Sequence, residues 1–210
     1  MNGMVVISWT SALICAGLGY LLGSVPFGVL ITWIAGLGDV RKIGSGNIGA
    51  TNVLRTGKKW AAALTLLLDG AKGALAVLAC SYLTSPEGAM AAGLGAMFGH
   101  IFPVWLKFKG GKGVATFIGV LLGLFWPTGL LVIGTWLVVA LAFRISSLSA
   151  LIAAALAPAY TMAFGNLTYA LYTLALTIVL FVTHHENLHR LWQGTEPRIG
   201  ARKGARKSDD

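Results

Sequence analysis

Long apolar stretches with almost no charged residues are the feature that most constrains how this chain folds. A helix needs about 20 predominantly apolar residues to cross a membrane. Hydrophobic residues make up 56% of the 210 residues and charged residues only 11%, whereas an average soluble domain is about 25% charged. Because so few charges cannot cover a globular surface in water, the sequence predicts an all-α integral membrane protein. The five clearest spans are residues 5–22, 61–83, 88–106, 148–164 and 167–183.

Two further apolar stretches complete a predicted set of about seven transmembrane helices. Residues 114–143 are too long for one span, and Trp126-Pro127-Thr128 divides them, because proline disfavours helical geometry in the residue before it. We therefore expect two short helices joined by a tight turn. Residues 27–37 follow Pro26 and are expected to extend or kink the first helix.

The basic residues indicate how these spans are oriented. Of the 16 Lys and Arg residues, all but Lys72 lie in alternate connections, and the other connections contain none. Since positively charged connections stay in the cytoplasm, the N-terminus is predicted outside and the C-terminus in the cytoplasm. Residues 1–200 then form a single polytopic membrane domain, and residues 201–210 form a basic, disordered tail near anionic lipid.

The formal net charge of +9 raises nucleic acid as a partner. The charges are confined to short segments between apolar stretches, however, and no basic amphipathic helix is present. Anionic lipid headgroups and phosphorylated small molecules explain that pattern better. Membrane lipids and phosphate-bearing substrates are therefore the expected partners, and nucleic acid is not.

A glycine-rich polar segment, residues 44–55, lies between the first two spans. Its glycines let main-chain N–H groups turn inward as an anion-binding nest. The segment contains the G-x-G-x-x-G dinucleotide motif, but no strand precedes it and Asp69 lies within a span, which excludes a Rossmann fold. A flexible linker is the alternative, although linkers seldom combine Asn, Thr and Arg so densely. The candidate phosphate-binding residues are Gly46, Asn47, Gly49, Thr51 and Asn52.

A second glycine-rich segment, residues 107–116, directly precedes an apolar helix. The N–H groups and the dipole at a helix N-terminus favour phosphate, and Lys112 adds a positive charge. The segment is not a nucleotide P-loop, because no glycine lies five residues before a Gly-Lys-Ser/Thr. The alternative, that three lysines only anchor the helix at the headgroups, does not explain the interleaved glycines. The phosphate-binding candidates are Gly110, Gly111 and Gly113.

The third polar segment, residues 184–196, follows the last span. His184, Asn187 and Arg190 are three residues apart and share a helix face. His185-Glu186-Asn187-Leu188-His189 matches the H-E-x-x-H motif of zinc metalloproteases. The sequence offers no separate third ligand, and zinc would not explain the glycine-rich segments, so no metal is expected. An interfacial helix end with His and Arg at the headgroups is the remaining alternative.

Three ionisable residues fall inside predicted spans. Asp69 and Lys72 are three residues apart in the second span, and charges within a membrane usually pair and face the bundle interior. A structural ion pair and a catalytic role both remain open. His100, near the cytoplasmic end of the third span, either reaches the same polar face or caps its helix.

Taken together, the three segments resemble those of the bacterial acyl-phosphate-dependent glycerol-3-phosphate acyltransferase family. The resemblance covers nearly the whole chain, with the motifs in the same order. It implies a plasma (inner) membrane enzyme whose active site faces the cytoplasm. It also implies transfer of a fatty acyl group from acyl phosphate to the 1-hydroxyl of glycerol 3-phosphate, giving lysophosphatidic acid and phosphate without a cofactor. The matching residues are Ser45-Gly46-Asn47 through Asn52 to Arg55, Gly99-His100 onward to Lys109-Gly110-Gly111-Lys112-Gly113, and His184 through Asn187 with Gly194-Thr195-Glu196 after them.

The resemblance also implies which residues form the site. Its binding and catalytic positions carry over to Ser45, Arg55, Lys112, His184 and Asn187, and Glu196 joins the binding set. As hypotheses, Arg55 and Lys112 hold phosphate charge, and Ser45 with Asn187 orients the acceptor. The glycine N–H groups complete the cradle together with Asn47 and Asn52.

The general base stays open at this point. Other glycerolipid acyltransferases use His-x4-Asp, and no histidine here has an aspartate five residues later. Either His184 removes the proton or a phosphate oxygen of the substrate does, with the protein supplying positioning and electrostatics. The family resemblance favours the substrate-assisted route.

A permease for a small phosphorylated anion is the main alternative from another class. Transporters usually bind their substrates near the midplane through broken helices, often in repeated halves. Here the polar motifs lie at one face and no repeat is visible. A CDP-alcohol phosphotransferase, suggested by Asp69-Gly70, needs several further aspartates for metals, and the only others are Asp39, Asp209 and Asp210.

Overall fold

The computed structural model describes residues 9–200, which contain ten α-helices. The residues of the first predicted span before Trp9 and the predicted tail over 201–210 lie outside the described part of the chain. The helices are α1 (Trp9–Gly23), α2 (Phe27–Ile34), α3 (Ala50–Val53), α4 (Lys59–Leu83), α5 (Pro86–Ile101), α6 (Val114–Leu124), α7 (Trp126–Phe143), α8 (Ser146–Phe164), α9 (Leu167–Thr183) and α10 (His185–Trp192).

Five helical segments within residues 9–200 are long and apolar enough to cross a membrane. Helices α1 and α2 together form one of them, so residues 27–34 extend the first helix after a break. Helices α4, α7 and α8 qualify individually, and α5 qualifies with the turn that follows it. Helix α9 gives a sixth candidate when it is taken with α10, from which it is bent by 65°. The predicted count of seven is not confirmed, because α6 is too short to qualify as a span.

The predicted division of residues 114–143 is confirmed, at Phe125, but only the first of the two helices is short, because α7 has 18 residues. Helix α6 ends at Leu124 and α7 begins at Trp126, with Phe125 in a non-helical conformation (φ −153°, ψ 82°) between them. Pro127 lies in the first turn of α7, where its missing N–H removes no helical hydrogen bond. The proline therefore starts the second helix instead of forming the turn.

Helix α6 is short because it starts inside the bundle. Its 11 residues span about 16 Å, roughly half of the 30 Å hydrocarbon core. In its first turn, Thr116 Oγ1 donates to the main-chain oxygen of Asp69 at 2.9 Å. Asp69 lies about 15 Å along α4 from Lys59, the first residue of that helix. A Cβ on Gly119 would overlap the main-chain oxygen of Gly70. The two backbones therefore touch, and the N-terminus of α6 is recessed from the end at which α4 begins.

Glycines also bring α1 and α5 into backbone contact. A Cβ on Gly95 would overlap the main-chain oxygen of Ala16, and one on Gly19 would overlap that of Ala92. Small residues permit this close approach, which favours helix association in lipid. The α1–α5 pair forms one flank of the bundle.

The main apolar core lies where α4, α5, α6, α8 and α9 meet. Phe117, Leu121, Leu176 and Leu180 are at most 1% exposed within it. Large apolar side chains also cover the outside of the bundle, including Leu67 at 67% exposed. Such an exterior suits a lipid environment and would be unfavourable in water.

We predict that Gly95→Ala lowers the thermal stability of the protein in detergent. The added methyl group has no space beside Ala16, and overpacking of this kind typically costs about 1–3 kcal/mol, which is about 2–4 °C in Tm per kcal/mol. Gly17→Ala is the matched control in α1, because nothing lies within 4 Å of a Cβ at Gly17. Equal Tm values for the two variants would contradict this account of the α1–α5 contact.

Candidate functional site

A cavity of about 880 Å³ opens at the end of the bundle where the three polar segments meet. Its outer part is polar and its inner part is apolar. The polar lining comes from the loop before α4, the start of α6, the start of α8 and the region of α10. The residues of this polar part are Gly44, Ser45, Asn47, Gly49, Thr51, Asn52, Arg55, Lys112, Gly113, Ser146, Ser147, His184, Glu186, Asn187, Arg190 and Glu196, and the buried Asp69 and His100 also line the cavity.

Asn52 organises the first polar segment. Its Nδ2 donates to the main-chain oxygens of Val40 and Asn47, both at 2.8 Å, and lies 3.1 Å from that of Ile43. Its Oδ1 accepts from the Ser45 N–H at 3.2 Å. Because Asn52 is only 2% exposed and its amide is bonded to the loop, it holds the loop in shape. The exposed side chains of Ser45 and Arg55 then extend from that loop to the cavity.

Lys112 is held by a chain of hydrogen bonds that begins at Glu196. Glu196 Oε1 accepts from Ser147 Oγ at 2.6 Å and from Asn187 Nδ2 at 2.5 Å, and Oε2 accepts from Arg190 Nε at 2.6 Å. The other end of the Asn187 amide, Oδ1, accepts from Lys112 Nζ. Glu196 thereby fixes the orientation of Asn187, and Asn187 directs the ammonium group of Lys112.

Burial and neighbouring charges shift the pKa values of the residues in this hydrogen-bond network. Burial lowers the pKa of Lys112, the positive charge of Arg190 lowers it further, and Glu186 and Glu196 oppose the shift. Burial alone would raise the pKa of Glu196. The hydrogen bonds from Ser147, Asn187 and Arg190 outweigh that effect, so the pKa of Glu196 lies below its ordinary value.

His184 lies just beyond the end of α9 and is buried. Its Nδ1 is 2.8 Å from the main-chain oxygen of Leu180, which can only accept, so Nδ1 carries the proton and Nε2 has a free lone pair. Burial lowers the pKa of His184 to about 4, although the bond to Leu180 opposes the shift. The imidazole is therefore neutral at physiological pH, with Nε2 as a hydrogen-bond acceptor.

The first turn of α6 adds main-chain donors to the cavity. Gly113 precedes the helix in the left-handed region (φ 86°) without a capping side chain, so no side chain satisfies the first N–H groups of the helix. The loop is fixed next to them, because Thr183 Oγ1 donates to the Lys112 main-chain oxygen at 3.0 Å. Free N–H groups, the helix dipole and an ammonium group together make this a strong anion site.

The apolar part of the cavity is a groove between α4 and α7, with α6 as its floor. Small side chains on α4 and α6 make that floor smooth, and larger ones on α7 form the opposite wall. Leu67 of α4 and Leu137 of α7 border the groove and are 67% and 50% exposed, so the groove is open toward lipid. Its lining includes Leu66, Leu67, Gly70, Ala71, Ala74, Ala115, Ile118, Gly119, Leu122, Ile133, Trp136 and Leu137.

Most of the predicted binding and catalytic residues reach this cavity, and three of them do not. Gly46, Gly110 and Gly111 do not line it, because their N–H groups donate to the main-chain oxygens of Ile43, Ile101 and His100 at 2.9–3.0 Å. These glycines shape their loops and offer no free N–H to a phosphate. The residues that converge are Ser45, Asn47, Gly49, Thr51, Asn52, Arg55, Lys112, Gly113, His184, Asn187 and Glu196.

Sequence reasoning missed the two serines at the start of α8. Ser146 Oγ is 3.1 Å from Thr51 Oγ1, and Ser147 donates to Glu196, so both join polar segments that are distant in sequence. No motif marks them, because they begin an otherwise apolar helix. The helical spacing of Arg190 from Asn187 was a usable signal, and Arg190 does reach the site.

The two histidines of the H-E-x-x-H match, His185 and His189, lie on exposed parts of α10. His185 Nδ1 lies 3.0 Å from the main-chain oxygen of Val182, and His189 Nε2 lies 3.0 Å from Gln193 Nε2. Between residues 9 and 200, no three His, Cys, Asp or Glu side chains are grouped closely enough to hold a metal ion.

Comparison with known proteins agrees with this geometry. A family model described as glycerol-3-phosphate acyltransferase matches residues 13–194. The glycerol-3-phosphate acyltransferase of Paramagnetospirillum magneticum is 60% identical over 185 residues, which cover 88% of this chain and 92% of the relative. That of Bradyrhizobium diazoefficiens is 57% identical over 183 residues, covering 87% and 92% respectively. The chain belongs to the glycerol-3-phosphate acyltransferase family.

Two solved structures of a glycerol-3-phosphate acyltransferase share this fold. Both are crystal structures of PlsY (YgiH), an integral membrane glycerol 3-phosphate acyltransferase. Its glycerol 3-phosphate form is 35% identical with a TM-score of 0.85, and its lysophosphatidic acid form is 34% identical with a TM-score of 0.83. Each comparison covers 90% of this chain and 96% of the other. With its apolar spans, the chain is a multi-pass membrane protein of this acyltransferase family.

The hydrogen bonds of Glu196 predict a pH-dependent effect on stability. A carboxylate whose pKa is lowered by folding stabilises the protein above its unfolded pKa, about 4.3, and that contribution is lost as the pH falls toward the folded pKa. We therefore expect Glu196→Gln to lower Tm at pH 7, and the difference from the wild type to shrink below about pH 4.

The control for this measurement is Glu186→Gln. Glu186 is exposed, and its Oε2 lies 3.8 Å from Arg190 Nη1, which is a long contact for an ion pair. Exposed ion pairs contribute little to stability. Its Tm should match the wild type across the same pH range. A Glu196→Gln loss that stays constant down to pH 3 would show that the charge of Glu196 is not what stabilises the site.

Proposed function

We propose that this protein transfers a fatty acyl group from acyl phosphate to the 1-hydroxyl of glycerol 3-phosphate, forming lysophosphatidic acid and inorganic phosphate. The observation that carries the proposal is the junction between a recessed anion site and an apolar groove that is open to lipid. A donor with a phosphate head and an acyl tail needs both features at once. Membership of the glycerol-3-phosphate acyltransferase family supports the acceptor.

The acyl phosphate is placed with its tail in the α4–α7 groove. Its carbonyl then lies where the groove meets the polar part of the cavity, next to Val114 and Ala115. Its phosphate reaches the first N–H groups of α6 and the ammonium group of Lys112. Those groups stabilise the negative charge that grows on the leaving phosphate.

Glycerol 3-phosphate is placed in the outer, polar part of the cavity. Arg55 and Ser45 are exposed there on the loop that Asn52 holds, and Arg55 provides the charge for the acceptor phosphate. Asn47 lends its amide N–H₂, since its Oδ1 accepts from the Gly49 N–H. Asn187, on the opposite wall, orients the glycerol hydroxyls together with Ser45.

The chemical step joins the acceptor oxygen to the acyl carbon. The 1-hydroxyl oxygen attacks the carbonyl, the bond between that carbon and the phosphate oxygen breaks, and phosphate leaves with the electron pair. His184 Nε2 accepts a hydrogen bond from the hydroxyl and aligns it. Because the pKa of His184 is about 4, it is a weak base at neutral pH. The proton therefore goes to a phosphate oxygen of the substrate, and the enzyme contributes orientation and charge stabilisation.

We place the cavity on the cytoplasmic side of a bacterial inner membrane, with the N-terminus outside. The cavity opens at the end of the bundle that carries Arg55, Lys112 and Arg190, and basic connections stay in the cytoplasm. Soluble glycerol 3-phosphate then enters from the cytoplasm, and the donor enters sideways from lipid. The catalytic domain covers residues 1–200 in this proposal.

The direct test is acyl transfer by purified protein with labelled glycerol 3-phosphate and matched acyl donors. We expect lysophosphatidic acid from acyl phosphate, and none from acyl-CoA or acyl carrier protein. No product with any donor, combined with counterflow of a phosphorylated solute in proteoliposomes, would overturn the proposal in favour of a permease.

A matched pair of lysine variants tests the anion site. Lys112→Met should lower kcat at least 100-fold, because it removes the charge that stabilises the leaving phosphate. Lys109→Met should retain activity, because Lys109 is exposed and does not line the cavity. Equal losses in the two variants, with both proteins folded, would show that general basicity and not the position of Lys112 matters.

If the acyl tail lies in the groove, a bulky substitution in its lining should change the acyl-chain preference. Ala74 lines its inner end, so Ala74→Phe should reduce kcat/KM for a C18 donor about 10-fold or more, while a C10 donor is affected less. Leu75→Phe, next to it on the lipid-facing side of α4 (57% exposed), should leave the preference unchanged. Identical chain-length profiles for the two variants would contradict the placement of the tail.

A further inference from the structure

A buried polar cluster lies beside the anion site and has no role in the chemistry proposed above. Two of its members, Asp69 and His100, line the cavity. Asp69, Lys72 and His100 are each at most 3% exposed. Lys72 Nζ donates to Asp69 Oδ1 at 2.6 Å and to the Val25 main-chain oxygen, at the break between α1 and α2, at 3.0 Å. His100 Nδ1 is 3.7 Å from Asp69 Oδ1. Charges buried in a membrane are costly and usually serve a function.

The His100 imidazole lies directly under the glycine-rich loop. A Cβ on Gly111 would overlap His100 Nε2. The backbone of Gly111 is outside the left-handed region, so no backbone strain forbids a side chain there. The three atoms nearest to such a Cβ all belong to the His100 imidazole.

Main-chain oxygens at and beside the cluster residues anchor both ends of the segment that carries Lys112. At one end, Gly111 and Gly110 donate to the main-chain oxygens of His100 and Ile101 at 3.0 Å each. At the other end, Thr116 Oγ1 donates to the main-chain oxygen of Asp69 at 2.9 Å. Lys112 and the first turn of α6 lie between these two anchors.

We infer that His100 is a positioning residue of the donor-phosphate site. Its imidazole, packed beside the Asp69–Lys72 pair, sets how closely the Gly110–Gly111 turn approaches α5, and so directs Lys112 and the first N–H groups of α6 at the phosphate. This inference rests on the proposed function for the identity of the anion, but the contacts that define it do not.

The inference can be tested by adding a methyl group at Gly111 and removing the imidazole at His100. Gly111→Ala should raise KM for acyl phosphate and lower kcat/KM about 100-fold, the effect expected when a binding group moves by about 1 Å. KM for glycerol 3-phosphate should change less than KM for acyl phosphate, since the acceptor site contacts Lys112 only through Asn187. Removing the imidazole should make room for the methyl group, so the double variant Gly111→Ala/His100→Ala should recover at least 10-fold of that loss.

Gly110 supplies the matched control. A Cβ on Gly110 would overlap the main-chain oxygen of His100 and would also be too close to that of Ile101. Every residue at position 100 keeps its main-chain oxygen, so His100→Ala should not rescue Gly110→Ala. Rescue of both glycine variants to the same extent would indicate general loosening of the loop and would overturn the inference. The inference would also be overturned if the loss of kcat/KM in the Gly111→Ala/His100→Ala variant equalled the product of the losses in the two single variants.

A second readout separates this inference from the proposed function. Hydrogen exchange of peptides covering residues 107–116 should be faster in His100→Ala than in the wild type, and unchanged in Gly17→Ala. His100→Asn, which keeps a smaller polar side chain, replaces His100→Ala if the latter does not fold. If the wild type makes no lysophosphatidic acid, the proposed function fails while this exchange measurement still tests the anchoring of the loop. Unchanged exchange in the folded His100 variant would overturn the inference.

Discussion

A helix that begins inside a membrane leaves its first N–H groups without partners, and lipid cannot supply any. Helix α6 is in this position, because its first turn lies beside the middle of α4. The groups that face those N–H donors must therefore be polar or anionic. Lys112, His184 and Asn187 line the same cavity, and we propose the recessed start of α6 as the site of the donor phosphate. The rest of the polar architecture holds that site in place.

Two supports hold the site from opposite sides. From the region of α10, Glu196 orients Asn187, and Asn187 orients Lys112. From the α5 side, the main-chain oxygens of His100 and Ile101 accept hydrogen bonds from the turn before α6. In the proposed reaction the acyl phosphate needs little help from a base, so accurate placement of charge supplies most of the catalysis. Both supports act on that placement.

The sequence predicts most of the apolar helices and the convergence of the three polar segments, but it predicts seven spans where residues 9–200 contain five or six candidates. The apolar stretch over residues 114–143 did not reveal that its first helix starts recessed, since that depends on backbone contact between Gly70 and Gly119. The roles of Gly110 and Gly111 were also hidden. A glycine that binds an anion and one that packs against a neighbouring helix look the same in sequence. Ser147 was missed because its partner, Glu196, is 49 residues away.

The most direct measurement is a crystal structure of the protein in a lipid mesophase with a non-hydrolysable acyl phosphonate. The account predicts the phosphonate at the first turn of α6, within hydrogen-bonding distance of Lys112 Nζ. It also predicts the acyl tail in the groove between α4 and α7, with the carbonyl at their junction. A phosphonate bound at Arg55 and Ser45, or a tail that lies outside this groove, would contradict it.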